Sequence, residues 1–324
     1  MVYKTLLDNL EFIDTHAHVH RLKDEPRERF FRELYGERGQ SIKKIINIAI
    51  SYEENIDAME PVEGGGVRSV FKDKLRNPDG VIYDKVNYFA HGIHPKEVHQ
   101  TVFGGNYEMS EEEVNEKIDA IFEQLYTICS VSDSRCVAIG ETGYEFFYSA
   151  PYEYKDLQRE FYKRHIELAN KLDLPLIIHH RSHPDISLGR ENANQEGIKI
   201  LQENKDLLRD NPGVIHCFFG SIEEAETFCG MSFVIGVGAA FLDERNAALR
   251  EVITRVPLSN IVIETDTPFL KPKHINSGFK QNTPLNIPYI ANELAKLKGI
   301  SIEEVAKFTT ENALRVFDRL NDLD

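Results

Sequence analysis

A chain of 324 residues with 41% hydrophobic and 28% charged side chains has the make-up of a globular protein with a substantial core, and its length allows one α/β barrel or two ordinary domains. Its net charge of −15, from 38 basic and 53 acidic residues, argues against coating nucleic acid or an anionic membrane with positive charge, although a small site carrying metal ions can still take a phosphate ester. No apolar run is long enough to span a bilayer, Met1 to Asp8 lacks the apolar stretch of a signal peptide, and Cys129, Cys136, Cys217 and Cys229 form no Cys-x-x-Cys pair; the expectation is a cytoplasmic protein with reduced thiols and no membrane partner.

In chain order, Leu10 to Ile13 opens a strand that runs into Asp14-Thr15-His16-Ala17-His18. Residues 21–40 read as a loop and short helix. Ile42 to Ile50, rich in β-branched residues, reads as a second strand. Glu53 to Leu75 has a helical pattern broken by Pro61 and Gly64-Gly65-Gly66. Val86 to Ile93 is a third strand, and 97–109 a loop. Ser110 and Glu113 form a capping box for a helix to about Ser130. Cys136 to Gly140 is a fourth strand, Tyr152 to Leu172 a long amphipathic helix, and Leu174 to His179 a fifth strand. A helix over 194–209 precedes a sixth strand from Gly213 to Phe218. A short helix over 223–229, a seventh strand over 232–238, a helix over 243–255 and an eighth strand over 260–266 follow. Helices at 285–298 and 301–319 end the chain, the second capped by Ser301 and Glu304. Eight apolar strands alternating with helices predict an α/β fold, the TIM-type (β/α)8 barrel, as one domain over 1–324.

Barrel sites form where strands end, and side chains with chemistry collect there. His16 and His18 lie on one face of the first strand, because side chains alternate. On their own they are either strand-end histidines without a common task or two metal ligands. Asp14 shares their face and could orient one of them or sit near the metal. His94 ends strand three, Glu141 strand four, His179 and Arg181 strand five, His216 strand six and Asp266 strand eight. Singly each has a plain structural alternative: a turn at His94, loop amides at Glu141, a core position for His216, an Asx turn at Asp266, a rim ion pair at Arg181. Together they have the composition of a dinuclear hydrolase site suited to zinc, manganese or related ions. A carboxylate such as Glu141 can bridge two ions. Ions about 3.5–4 Å apart can activate a water and stabilise the leaving oxygen. Asp266 can ligate, accept the water's proton, or do both in turn, and Arg181 can fork onto a phosphate. His20, His91, His180 and His183 read as packing or supporting groups, and His99, His165 and His274 as surface residues.

These stretches resemble the TatD-like deoxyribonuclease family of amidohydrolase-type metal-dependent hydrolases. The resemblance is carried by Phe12-Ile13-Asp14-Thr15-His16-Ala17-His18, Gly92-Ile93-His94-Pro95, Ala138-Ile139-Gly140-Glu141-Thr142-Gly143, Pro175 to Arg181, Gly213 to Phe218 and Ile263 to Leu270, in the family's order and extending to Asn312. It implies a barrel with a one- to three-ion site and metal-dependent DNA hydrolysis, commonly exonucleolytic, with His16, His18, Glu141, His179, His216 and Asp266 as metal ligands; two divalent ions (Mg, Mn or Zn) are expected. Glu141 would bridge, and His94 and Arg181 would lie near substrate phosphates. Two motifs depart from the pattern: Tyr144-Glu145-Phe146 stands where the family has Leu-Asp-Tyr, and Asn282-Thr283-Pro284 where it has Asn-Glu-Pro. The substrate expected is single-stranded DNA or DNA ends, with Phe146, Phe147, Tyr148, Phe218 and Phe219 either stacking on unpaired bases or, for Phe218 above all, packing in the core under long loops. Two other readings remain at this point: the same site hydrolysing another ester or amide such as an aminoacyl-tRNA, or a non-catalytic subunit of a DNA-processing assembly.

Overall fold

A computed structural model describes residues 10–56, 60–62, 66–68, 86–106, 108–130, 135–185, 188–273, 275 and 277–322. Eight parallel strands in the order β1 (Phe12–Ala17), β2 (Ile42–Ala49), β5 (Asn87–His91), β6 (Cys136–Glu145), β7 (Leu176–Arg181), β8 (Gly213–His216), β9 (Val234–Val237) and β10 (Ile261–Ile263) form a nearly closed barrel. The expected eight-stranded architecture is therefore present. Two short strands outside it, β3 (Glu60–Val62) and β4 (Gly66–Arg68), pair antiparallel where the helical pattern was expected to break, while Gly64 and Gly65 lie outside the described residues. Among the described residues no helix is long and apolar enough to cross a membrane.

The chain divides into two compact units: Met1–Asn47 with Lys74–Tyr88 and His216–Asp324, and Ile48–Asp73 with Phe89–Ile215. In the first, β1 and β10 are buried throughout and covered by the helices Ile287–Lys298 and Ile302–Val316. Ser301 and Glu304 form the expected capping box. Ser221 and Glu224 form another on the helix Ile222–Gly230. Buried Asn312 donates to the carbonyls of Leu258 and Ile261, at 2.8 and 2.7 Å, fixing the start of β10. Beyond β10, Asn282 donates to the Thr265 carbonyl (2.6 Å) and accepts from Asn286 (2.7 Å). The divergent Asn282-Thr283-Pro284 motif thus holds the loop that carries Asp266.

In the second unit β6 pairs with β7 from Ile139↔Leu176 to Glu145↔Arg181. Gly143, at φ +131°, lets β6 press against β7; a Cβ there would meet the His179 carbonyl oxygen at 2.1 Å. Three local expectations are corrected here. The loop at 97–109 contains the helix Val98–Phe103. The long helix breaks at Tyr154 into Ser149–Glu153 and Lys155–Leu172, because Gln158 turns its amide to the Pro151 carbonyl and to the Glu145 backbone. His165 is fully buried rather than on the surface: Nδ1 donates to the Phe161 carbonyl (2.6 Å) and Nε2 accepts from the Ile93 amide (3.1 Å). His99 is half-buried and stacks on Tyr154 at 3.8 Å, while His274 lies outside the described residues.

Candidate metal centre

In the first unit the alternation of β1 brings His16 and His18 together as its period requires. Their Nε2 atoms lie 3.2 Å apart. The Asp266 amide donates to the His16 carbonyl (2.9 Å) and the His18 amide to the Thr267 carbonyl (2.7 Å). This pairing, with Asp266 in the left-handed region at φ +54°, sets its Oδ1 3.9 Å from His16 Nε2 and 3.5 Å from His18 Nε2. Burial works against ionisation of Asp266, but the His18 contact and the surrounding imidazoles outweigh it and hold its pKa below the ordinary carboxylate value. His216 stacks on His16 with ring centroids 3.4 Å apart.

Two buried carboxylates support these groups. Glu264 Oε1 lies 2.9 Å from His216 Nδ1 and accepts from the Cys217 amide at 2.7 Å. The Glu264 carboxylate thus stands beside the His216 ring on its Nδ1 side. Asp14 does not orient a histidine ring. It accepts from the amide and hydroxyl of Thr265 (3.0 and 2.6 Å) and from the His16 amide (3.3 Å), tying β1 to the segment after β10. Burial raises its pKa to about 7 despite those bonds.

In the second unit His179 lies between two carboxylates, with Nδ1 2.9 Å from Glu141 Oε1 and Nε2 3.3 Å from Glu145 Oε2. Burial opposes a charge on this ring, yet the two glutamates prevail and raise its pKa to about 9. A buried pocket that holds a proton so firmly is built for positive charge, so the donors fit a divalent cation, whose binding would release that proton. His94 Nε2 stands 3.6 Å from Glu141, while its Nδ1 accepts from the Lys96 amide at 3.0 Å. The neutral ring therefore carries its hydrogen on Nε2 and suits hydrogen-bond donation better than ligation. Arg181, with nearly half its side chain exposed, approaches Glu145 only to 4.0 Å. His180 is turned away among Tyr144 and Tyr162, where burial first and the neighbouring His179 second lower its pKa to about 3. His91 is buried against Asn55 (3.0 Å). Glu145 and Glu264 were missed as site residues. Each lies close in sequence to a recognised acid, Glu145 four residues after Glu141 on β6 and Glu264 two before Asp266, and Glu145 keeps the family's carboxylate with one added methylene.

Convergent histidine and carboxylate donors at the strand ends of a parallel barrel define a metal-dependent hydrolase. The TatD-related DNase profile matches residues 13–318, and the chain belongs to that family. It is 36% identical over 206 residues to the metal-dependent hydrolase YabD of Bacillus subtilis (strain 168), covering 63% of this chain and 74% of that protein. It is 29% identical over 207 residues to the 3'-5' ssDNA/RNA exonuclease TatD of Rahnella sp. (strain Y9602), covering 63% and 71%. The crystal structure of the TatD homologue YJJV from Escherichia coli k12 superposes with a TM-score of 0.67 at 25% identity, covering 95% of this chain and 98% of that one.

Proposed function

We propose that this hydrolase is a deoxyribonuclease that cleaves phosphodiester bonds of single-stranded DNA or DNA ends, as an exonuclease. In this reading residues 1–324 act as one hydrolase domain in the cytoplasm, in keeping with four free cysteines. His16, His18, Glu141, His179, His216 and Asp266 would hold two divalent ions (Mg, Mn or Zn), and Glu141 would be the ligand common to both. The observation that carries the reading is the donor set itself: imidazoles gathered beside Asp266 in one unit, and His179 held between two glutamates in the other. The exonuclease name of the Rahnella relative supports action on strand ends.

Bound ions supply Lewis acidity that neutralises phosphate charge and acidifies a water. The chain's own groups do the rest. Asp266, kept ionised by the imidazoles around it, accepts the proton of the attacking water. His94 donates from Nε2 to a phosphate oxygen, and Arg181 offers its planar fork to a second phosphate. The test is to strip the protein with chelator, restore Mg, Mn or Zn, and compare an end-labelled single strand, its duplex and a panel of carboxylic esters. Stepwise shortening of the single strand supports the reading. Ester turnover with intact DNA at matched enzyme overturns it.

A further inference from the structure

The segment after β6 carries a surface patch that the metal chemistry leaves unused. Phe146 is buried, but the two residues that follow turn outward: Phe147 is half-buried and Tyr148 is 42% exposed. Their rings meet edge to face with centroids 5.0 Å apart and planes at 78°. Two cations lie over them. The Arg181 guanidinium carbon stands 4.2 Å from the Phe147 centroid and 5.3 Å from that of Tyr148. Lys96 Nζ stands 5.3 Å from the Tyr148 centroid.

A cation resting on an aromatic face is held through the ring quadrupole, which leaves its N–H donors available. Arg181 is thus positioned without spending those donors, since its approach to Glu145 is only 4.0 Å. Such interleaving of exposed aromatic and basic groups is what single-stranded nucleic acid requires: a flat surface for a base and positive charge for the backbone on either side. It is notable on a chain whose net charge is −15. The patch also adjoins the chemistry, because Glu145 touches both Arg181 and His179.

We infer that Phe147, Tyr148, Lys96 and Arg181 form a subsite for one unpaired nucleotide of a nucleic-acid substrate. The base stacks on Tyr148, Phe147 braces that ring from the side, and Lys96 and Arg181 take the flanking phosphates. The inference rests on the nuclease reading above and adds a physical basis for single-strand preference: a base inside a duplex already has both faces stacked.

The experiment uses two end-labelled strands of equal length, one of thymidines and one of abasic units, which share a backbone but differ in having a base to stack. With the metal-loaded enzyme, the kcat/KM ratio of the thymidine strand to the abasic strand falls about ten-fold or more in Tyr148→Ala. Tyr148→Phe, which keeps the ring, restores the wild-type ratio. Lys96→Ala weakens both strands alike and leaves the ratio unchanged. Circular dichroism on each variant reports whether it is folded. A Tyr148→Ala protein that cleaves both strands with the wild-type ratio overturns the subsite and leaves the nuclease reading intact, whereas a wild-type protein that neither binds nor cleaves either strand overturns both.

Discussion

The two units assemble their histidine and carboxylate donors with opposite chemistry. In the first, His16, His18 and His216 gather around one ionised carboxylate, Asp266, while the other acids are turned to structural use: Asp14 on Thr265, Glu264 on Cys217 and behind His216. In the second, Glu141 and Glu145 enclose His179 and pull a proton onto it. Imidazole donors dominate one cluster and carboxylates the other. A cluster of imidazoles loses its capacity when a ring is removed, whereas a carboxylate cluster loses it when a charge is removed.

The double substitution His16→Ala, His18→Ala breaks the first cluster and has the largest expected effect, loss of hydrolysis by at least about 10³-fold, with less metal bound per chain and the barrel still folded. Elemental analysis checks it; unchanged metal content sinks the ligand assignment. Asp266→Asn keeps the shape and removes the base. A fall in kcat of about 10²–10⁴-fold is expected, and wild-type turnover would move the proton transfer elsewhere. In the second unit Glu145→Gln removes half of the charge around His179. Metal affinity should drop about 10–100-fold, as when a ligand's supporting partner is lost, with activity recovering in excess metal. A titration of activity against metal concentration that overlays the wild type would show that Glu141 suffices.

How far the sequence carried the argument differs between the same two regions. The strand order was legible because each strand is an apolar run followed by a polar terminus, and the Ser301 and Ser110 boxes were legible from their Ser-x-x-Glu spacing. The same spacing at Ser221 and Glu224 was there to be read. That His16 and His18 share a face followed from the period of two. The supporting carboxylates were not legible in the same way. Glu264 and Glu145 gain their meaning from partners 47 and 34 residues away, Cys217 and His179, and no local pattern states such a pairing. Asp14 was legible as a supporting group but not its partner, since its bond to Thr265 crosses 251 positions. His165 was misjudged because a histidine on an amphipathic helix looks exposed until the amide it serves, that of Ile93, is seen.

His165 also gives the smallest and most specific prediction, because the second unit holds one histidine charged and others neutral. Its Nε2 must accept from Ile93, so protonation would set two donors against each other; burial first, despite its bond to the Phe161 carbonyl, lowers its pKa from 6.5 to about 4. The unfolded chain therefore binds a proton that the folded chain refuses between those values. Stability from this group is complete above about pH 6.5 and declines as pH falls toward 4. Between pH 7 and pH 5 the loss should be about 2 kcal/mol. His165→Gln cannot titrate, so although it starts less stable, its denaturation midpoint should fall less over the same interval when both proteins are measured free of metal. Parallel pH curves for the two would mean that the acid sensitivity of this unit comes from another group.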